Sequence, residues 1–202
     1  MDLIGARLAY VLLLDPAWYL THPWQMVAVW KGGLAEEGAF LGGLGAGIWW
    51  CRKGNISLLV FADALAPALA LGAAIFHLGA FLGGGGYGTP TALPWAVTFT
   101  DPNSSAPLGI PLHPTQLYES GLDLALAGGL RMMRRRPHRP GERFFLFLLG
   151  SALIRLAVDP VKGDVIMIAD TVTSGQLVGV IVMVCAVIGL VRLGWLGFAN
   201  PS

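Results

Sequence analysis

Charge is what this chain has least of. Only 12% of its 202 residues are Asp, Glu, Lys or Arg, where soluble domains carry about 25%. With 55% hydrophobic residues beside so few charges, a freely soluble surface is excluded and an integral membrane protein is expected. The net charge of +1 leaves no basic surplus for nucleic acid. Cysteine is nearly missing: Cys51 and Cys185, far apart in sequence, read as apolar filler with no disulfide framework. The four histidines, His22, His77, His113 and His138, are scattered, so no metal-ligand spacing arises and neither metal nor cofactor is expected. A nucleophile elbow, a Walker loop, a dinucleotide fingerprint and an internal repeat are all missing. No cleavable signal peptide is expected, because Asp2 and Arg7 interrupt the start and no small-residue cleavage site follows an apolar core.

What the chain has in quantity is apolar helix and glycine. Its 28 glycines suit membrane helices, where small residues let backbones approach. A span needs about 20 mostly apolar residues. The pattern predicts about six, near 3–20, 34–51, 57–82, 115–131, 144–159 and 171–193. Several are short or carry charges, which favours protein-packed and partly broken helices. The expected fold is all-α: one multispan transmembrane domain over 1–202.

Lysine and arginine set the orientation. One basic loop holds Arg52 and Lys53; a second, about 131–143, holds Arg131, Arg134, Arg135, Arg136, His138, Arg139 and Arg143. Both are expected in the cytoplasm, with both termini, and the run needs no partner beyond anionic lipid. The longest outward segment is then 83–112, which opens on four glycines, Gly83 to Gly86. Its Pro, Gly and Asn punctuation argues turns. Val97-Thr98-Phe99 reads as a short strand, and Tyr87 and Trp95 suit the membrane–water interface.

Few residues remain to carry chemistry. The run His113-Pro114-Thr115-Gln116-Leu117-Tyr118-Glu119 precedes an apolar segment, and polar groups are costly in lipid. Pro114 suits a first helical position. Gln116, Glu119 and Asp123 then share one helix face, either as an interhelical hydrogen-bond network or as the polar wall of a head-group cavity. Arg155 stands inside the apolar run Leu146–Val158, with Asp159 a turn later and Ser151 a turn earlier. Arg155 and Asp159 can form a structural ion pair, or Arg155 can clamp a phosphate with its planar fork. Of Glu36 and Glu37, at most one faces a site; an acid among apolar residues suits general-base work, whereas in a solvated loop both are inert. His77 closes an apolar run before the glycine loop, as a structural donor or a functional group. Asp63, before Pro67, reads as a cap or buried hydrogen-bond partner, and Pro67 is expected to kink its helix.

In their order along the chain these segments resemble the bacterial prolipoprotein diacylglyceryl transferases. Leu3 to Val11 looks like that family's early glycine-arginine helix, and Trp30-Lys31-Gly32-Gly33-Leu34 its Trp-x-Gly-Gly turn. Asp63 to Pro67 is similar to its Asp-x-x-Ala-Pro helix. Gly79 to Gly88, with Pro94, Trp95 and Phe99, follows its signature loop. His113 to Glu119 is the most specific match. Arg155 with Asp159 resembles an Arg-Phe-x-x-Glu pair, and Ser174-Gly175-Gln176 a Gly-Gln helix start.

The resemblance implies an enzyme of the bacterial cytoplasmic membrane. Such an enzyme moves diacylglycerol from phosphatidylglycerol to the thiol of a prolipoprotein lipobox cysteine and releases glycerol phosphate. It implies His77, Glu37, His113 and Arg155 as catalytic, with Arg155 on phosphate, His77 a pH-dependent cation, and Glu37 or His113 helping to deprotonate the thiol. Gly88, Gln116, Tyr118, Glu119 and Asp159 are implied in substrate binding. The chain departs from the family pattern at several places. His77 stands where the family has a signature arginine, Ala80 at its asparagine and Gly85 at a loop acid. Glu37 replaces a histidine or tyrosine, and Ser151 a tyrosine. The family's first helix is expected to be missing, by loss or by choice of start site. Two rival readings are a non-catalytic phospholipid-binding relative and a small transporter.

Overall fold

The computed structural model describes residues 11, 16–22, 24–25, 36–165, 167–169 and 172–194. The protein divides into two compact units, Met1–Phe61 and Ala62–Ser202.

The first unit holds α1 (Pro16–Thr21), α2 (Glu36–Lys53) and the start of α3 (Leu58–Gly83). Helix α2 ends where the basic residues stand. Arg52 and Lys53 occupy its last turn, where cations meet the negative end of the helix dipole. Gly54 and Ile56 donate back to the carbonyls of Trp50 and Cys51. Asn55 turns the chain with φ of 51°, a conformation asparagine tolerates better than most residues. Trp49 and Trp50 are exposed there, and the Lys53 ammonium lies 5.0 Å from the Trp49 ring. Most of the expected 3–20 span, and the Trp30 to Leu34 turn, lie outside the described residues.

The second unit carries α3 onward into a loop with two short strands, β1 (Val97–Thr98) and β2 (Pro111–Leu112), then α4 (Thr115–Met132). A 3-10 turn (Met133–Arg135) leads through the arginine loop to α5 (Glu142–Val158), which ends in another 3-10 turn (Asp159–Val161). A small hairpin, β3 (Met167–Ala169) with β4 (Val172–Thr173), precedes α6 (Ser174–Arg192). The expected strand at Val97 is present. Among the described residues, three helical stretches are long and apolar enough to cross a membrane: Leu58–Gly83, Glu142–Val161 and Ser174–Arg192. They are apolar on their outward faces too: Leu69, Ile75, Phe76, Leu153, Leu177, Ile181, Val184 and Ile188 are all exposed. A helix hydrophobic all round belongs in a membrane or a large core.

Small residues set the packing. Asp63, Ala66, Ala70 and Ala74 form the buried stripe of α3, recurring at helical spacing. Ala66 and Ala70 meet Leu130 of α4, with Leu146 and Phe147 of α5 alongside. The approach of α3 to α4 is close enough for the Ser120 hydroxyl to donate to the Ala74 carbonyl at 3.0 Å. Helix α6 lies along α5, where a Cβ on Gly189 would collide with the Phe145 ring.

Asp63 fills both of the roles open to it, buried and capping another helix. Its carboxylate accepts from the backbone N–H of Gly141 at 2.7 Å and of Phe144 at 2.9 Å. Helix α5 begins there, and Gly141 at its N-cap offers no side chain. The orphan donors of one helix start are thus satisfied from another helix. Pro67 lies inside α3, which continues through it.

The first helical residue of α4 is Thr115, with Pro114 at the N-cap, which corrects the expectation by one position. The reason lies upstream. His113 is still tied to the preceding loop, its N–H donating to the Thr89 carbonyl and its carbonyl accepting from Gly88.

Candidate functional site

Three chain segments are sewn together where α3 and α5 end and α4 begins. Gly88 donates to the His113 carbonyl at 3.1 Å, Thr89 to that of Val161 at 2.8 Å, and Gly163 to that of Tyr87 at 2.8 Å. Residue 88 must be glycine for this crossing: a Cβ there would meet the Cβ and carbonyl of His113 at 2.5 Å and the Val161 carbonyl at 2.9 Å. The glycine loop before it is held by α4. Thr115 donates through its hydroxyl to the Gly86 carbonyl at 2.6 Å, and the Gln116 amide to that of Gly85 at 2.8 Å. The Gly86 N–H donates to the Asp164 carboxylate at 2.7 Å.

This stitching brings residues from three places into a charged cluster. His77 from α3 lies between two carboxylates of α4, its Nδ1 3.4 Å from Glu119 and its Nε2 3.6 Å from Asp123. Lys162, from the segment after α5, reaches the other Glu119 oxygen at 2.9 Å. Both carboxylates are only 5% exposed, while His77 is 21% exposed. Buried acids of this kind persist in apolar surroundings only when cations or donors face them.

The cluster opens on a cleft of about 240 Å³. His77, Glu119 and Asp123 line it together with Ser151 and Arg155, and Ile154, Val178 and Val182 supply apolar lining. The expected grouping of Ser151 with Arg155 is present. The expected Arg155–Asp159 ion pair is not formed. The Arg155 Nε donates instead to the Gly175 carbonyl at 3.2 Å, and Asp159 accepts from the Thr173 hydroxyl. Both side chains converge on the start of α6, where a Cβ on Gly175 would collide with the Asp159 carboxylate. Thr173 completes that start as a capping box with Gln176. The two terminal nitrogens of Arg155 keep no partner among the described residues, so its fork is free to meet an anion.

The other sequence candidates lie elsewhere. His113 does not line the cleft; its Nδ1 is 3.3 Å from the Tyr118 hydroxyl, which accepts from the Trp95 indole at 2.7 Å. Gln116 is fully buried under the glycine loop. Gly88 serves the chain crossing. Glu37 lies in α2, but its side chain is outside the described residues. Sequence reasoning missed Lys162. The available signal was a lysine three residues beyond Asp159, in a chain with few charges, on the side away from the basic loops.

This geometry can be set beside known proteins. A family model described as prolipoprotein diacylglyceryl transferase matches residues 1–192. The chain belongs to this family. Among its diacylglyceryl transferase relatives are proteins named phosphatidylglycerol–prolipoprotein diacylglyceryl transferase from Geobacter sulfurreducens and Bordetella avium. The first is 37% identical over 158 residues, 78% of this chain and 59% of the relative. The second is 36% identical over 157 residues, 77% of this chain and 58% of the relative. A third, from Pseudomonas putida, is 33% identical and aligns with 99% of this chain and 75% of its own length. The chain thus spans somewhat under three fifths of the first two diacylglyceryl transferases it matches. His77 is the histidine of this cluster. It sits between Glu119 and Asp123, so a conditional cation faces the two acids there.

Proposed function

We propose that this chain transfers the diacylglyceryl group of phosphatidylglycerol to the cysteine thiol of a prolipoprotein lipobox, releasing glycerol phosphate. The observation that carries this reading is the free guanidinium fork of Arg155 in one partly apolar cleft with His77, Glu119 and Asp123. The thiol sulfur forms a bond to the terminal glycerol carbon of diacylglycerol. The C–O bond to phosphate breaks, and its electron pair leaves with glycerol phosphate.

Two electrostatic demands follow. The thiol must lose a proton, because the thiolate is the nucleophile. The departing phosphate must be stabilised as its charge grows. Arg155 meets the second demand, with Lys162 nearby on Glu119. His77 serves both. As neutral imidazole it accepts the thiol proton, and the resulting imidazolium is held by Glu119 and Asp123. Positive charge then arises beside the phosphate as the phosphate becomes more negative, and such an interaction favours the transition state over the ground state. His113, with Tyr118 and Trp95, is read as shaping the rim rather than as the base.

The same reading places the chain in the bacterial cytoplasmic membrane, multi-pass, with the basic loops and both termini in the cytoplasm. Helices α2 and α4, 18 residues each, are about 27 Å long and cross with the polar face of α4 turned into protein.

The test is reconstitution in phosphatidylglycerol membranes with a lipobox peptide, reading diacylglyceryl-peptide by mass. Product that falls roughly 100- to 1,000-fold on Arg155→Ala is expected. Turnover unchanged by that substitution overturns the assignment. Phosphatidylglycerol retained with no product overturns the transferase reading in favour of a lipid-binding relative.

A further inference from the structure

A larger cavity lies at the opposite end of the second unit. It has a volume of about 670 Å³ between α3 and α4 and the start of α5. Its walls are apolar and built of small residues, among them Pro67, Ala68, Leu71, Leu124, Ala127 and Gly128. Its charged lining comes from Arg131, Arg134 and Arg143. Among the described residues no carboxylate lies within ion-pair distance of any of the three. The Arg143 Nε is moreover buried without a hydrogen-bond partner. A buried donor left unpaired costs free energy that a bound acceptor recovers. The catalytic proposal uses none of these residues.

We propose that this groove binds one anionic phospholipid, drawn from the leaflet on the side of the basic loops. Its phosphate rests on Arg131, Arg134 and Arg143, and an acyl chain lies along the Ala68, Leu71 and Leu124 wall. The chemistry of the lining selects this occupant. A soluble phosphate uses the arginines and leaves the apolar wall wet. A zwitterionic lipid uses the wall but presents its own cation to three arginines. Only a ligand with an anionic head and a hydrocarbon tail satisfies both, and basic pockets between membrane helices bind such head groups. Room for the tail comes from Gly128, where an added Cβ meets nothing within 4 Å. The volume falls in the range of ordinary ligand sites.

The inference goes beyond the transferase reading and stands or falls separately. The test is native mass spectrometry of the full chain in detergent, titrated with cardiolipin, with phosphatidylcholine, and with glycerol phosphate alone. Cardiolipin is expected to be retained in preference to phosphatidylcholine. Retention should weaken about a hundredfold in the triple variant Arg131→Gln, Arg134→Gln, Arg143→Gln, on roughly one tenfold step or somewhat less per arginine. Gly128→Leu, which fills open space, should weaken it while leaving the thermal midpoint in neutral detergent unchanged. Arg155→Ala should leave it intact. Undiminished cardiolipin binding by the triple variant overturns the proposal. Displacement by glycerol phosphate alone, or equal loss on Arg155→Ala, overturns it too, by assigning the signal to a bare phosphate site or to the cleft.

Discussion

The Asp63 carboxylate accepts a hydrogen bond from the Gly141 N–H at 2.7 Å across 78 residues of sequence. It takes a second from Phe144, so α5 is started by a side chain of α3. Replacing Asp63 with Ala leaves two buried donors unpaired. A loss of about 2–4 kcal/mol is expected, since bonds to a charged group contribute about 1.5–3 kcal/mol. Thermal unfolding in detergent measures it. Asp63→Asn, which retains one carbonyl acceptor, should lose about half as much. Equal midpoints for wild type and Asp63→Ala would remove the capping role.

Lys162 and Glu119 form the shortest ion pair among the described residues, at 2.9 Å. Removing the cation strands a nearly buried carboxylate, and such losses reach about 3 kcal/mol. Lys162→Ala is therefore expected to lower the unfolding midpoint, and Glu119→Gln in the same chain to restore part of it. A double variant less stable than the sum of the two single ones would show that the pair is not the source of the effect.

His77 as proton acceptor has a kinetic signature. Histidine titrates near neutrality. A protonated imidazole cannot take the thiol proton, so kcat/KM should fall toward acid pH. His77→Gln should lower kcat/KM by about 100-fold or more and abolish that acid limb. A variant whose residual rate keeps the wild-type limb would assign the titration to another group.

Gly175 lies where Asp159 and Arg155 converge, and a Cβ there collides with the Asp159 carboxylate. Gly175→Ala should push Asp159 off the Thr173 hydroxyl and shift Arg155. The expected result is a raised KM for phosphatidylglycerol with a folded protein, read by lipid titration of the transfer assay. An unchanged KM would mean that the start of α6 yields without moving Arg155.

Composition alone determined much of this protein. Scarce charge and long apolar runs specify membrane helices, because hydrocarbon admits only backbone that satisfies its own hydrogen bonds. Helical periodicity placed Gln116, Glu119 and Asp123 on one face and Ser151 with Arg155 on another, and both groupings follow from 3.6 residues per turn. The family was also legible, since its motifs are local runs in a fixed order. Only the tertiary structure decided which charges meet. Arg155 and Asp159 are one helical turn apart, yet Arg155 bonds the Gly175 carbonyl and Asp159 the Thr173 hydroxyl, partners that a distant part of the chain brings to them. His77, Glu119 and Lys162 come from three separate segments. No local pattern joins them; the crossing of Gly88 between His113 and Val161 does.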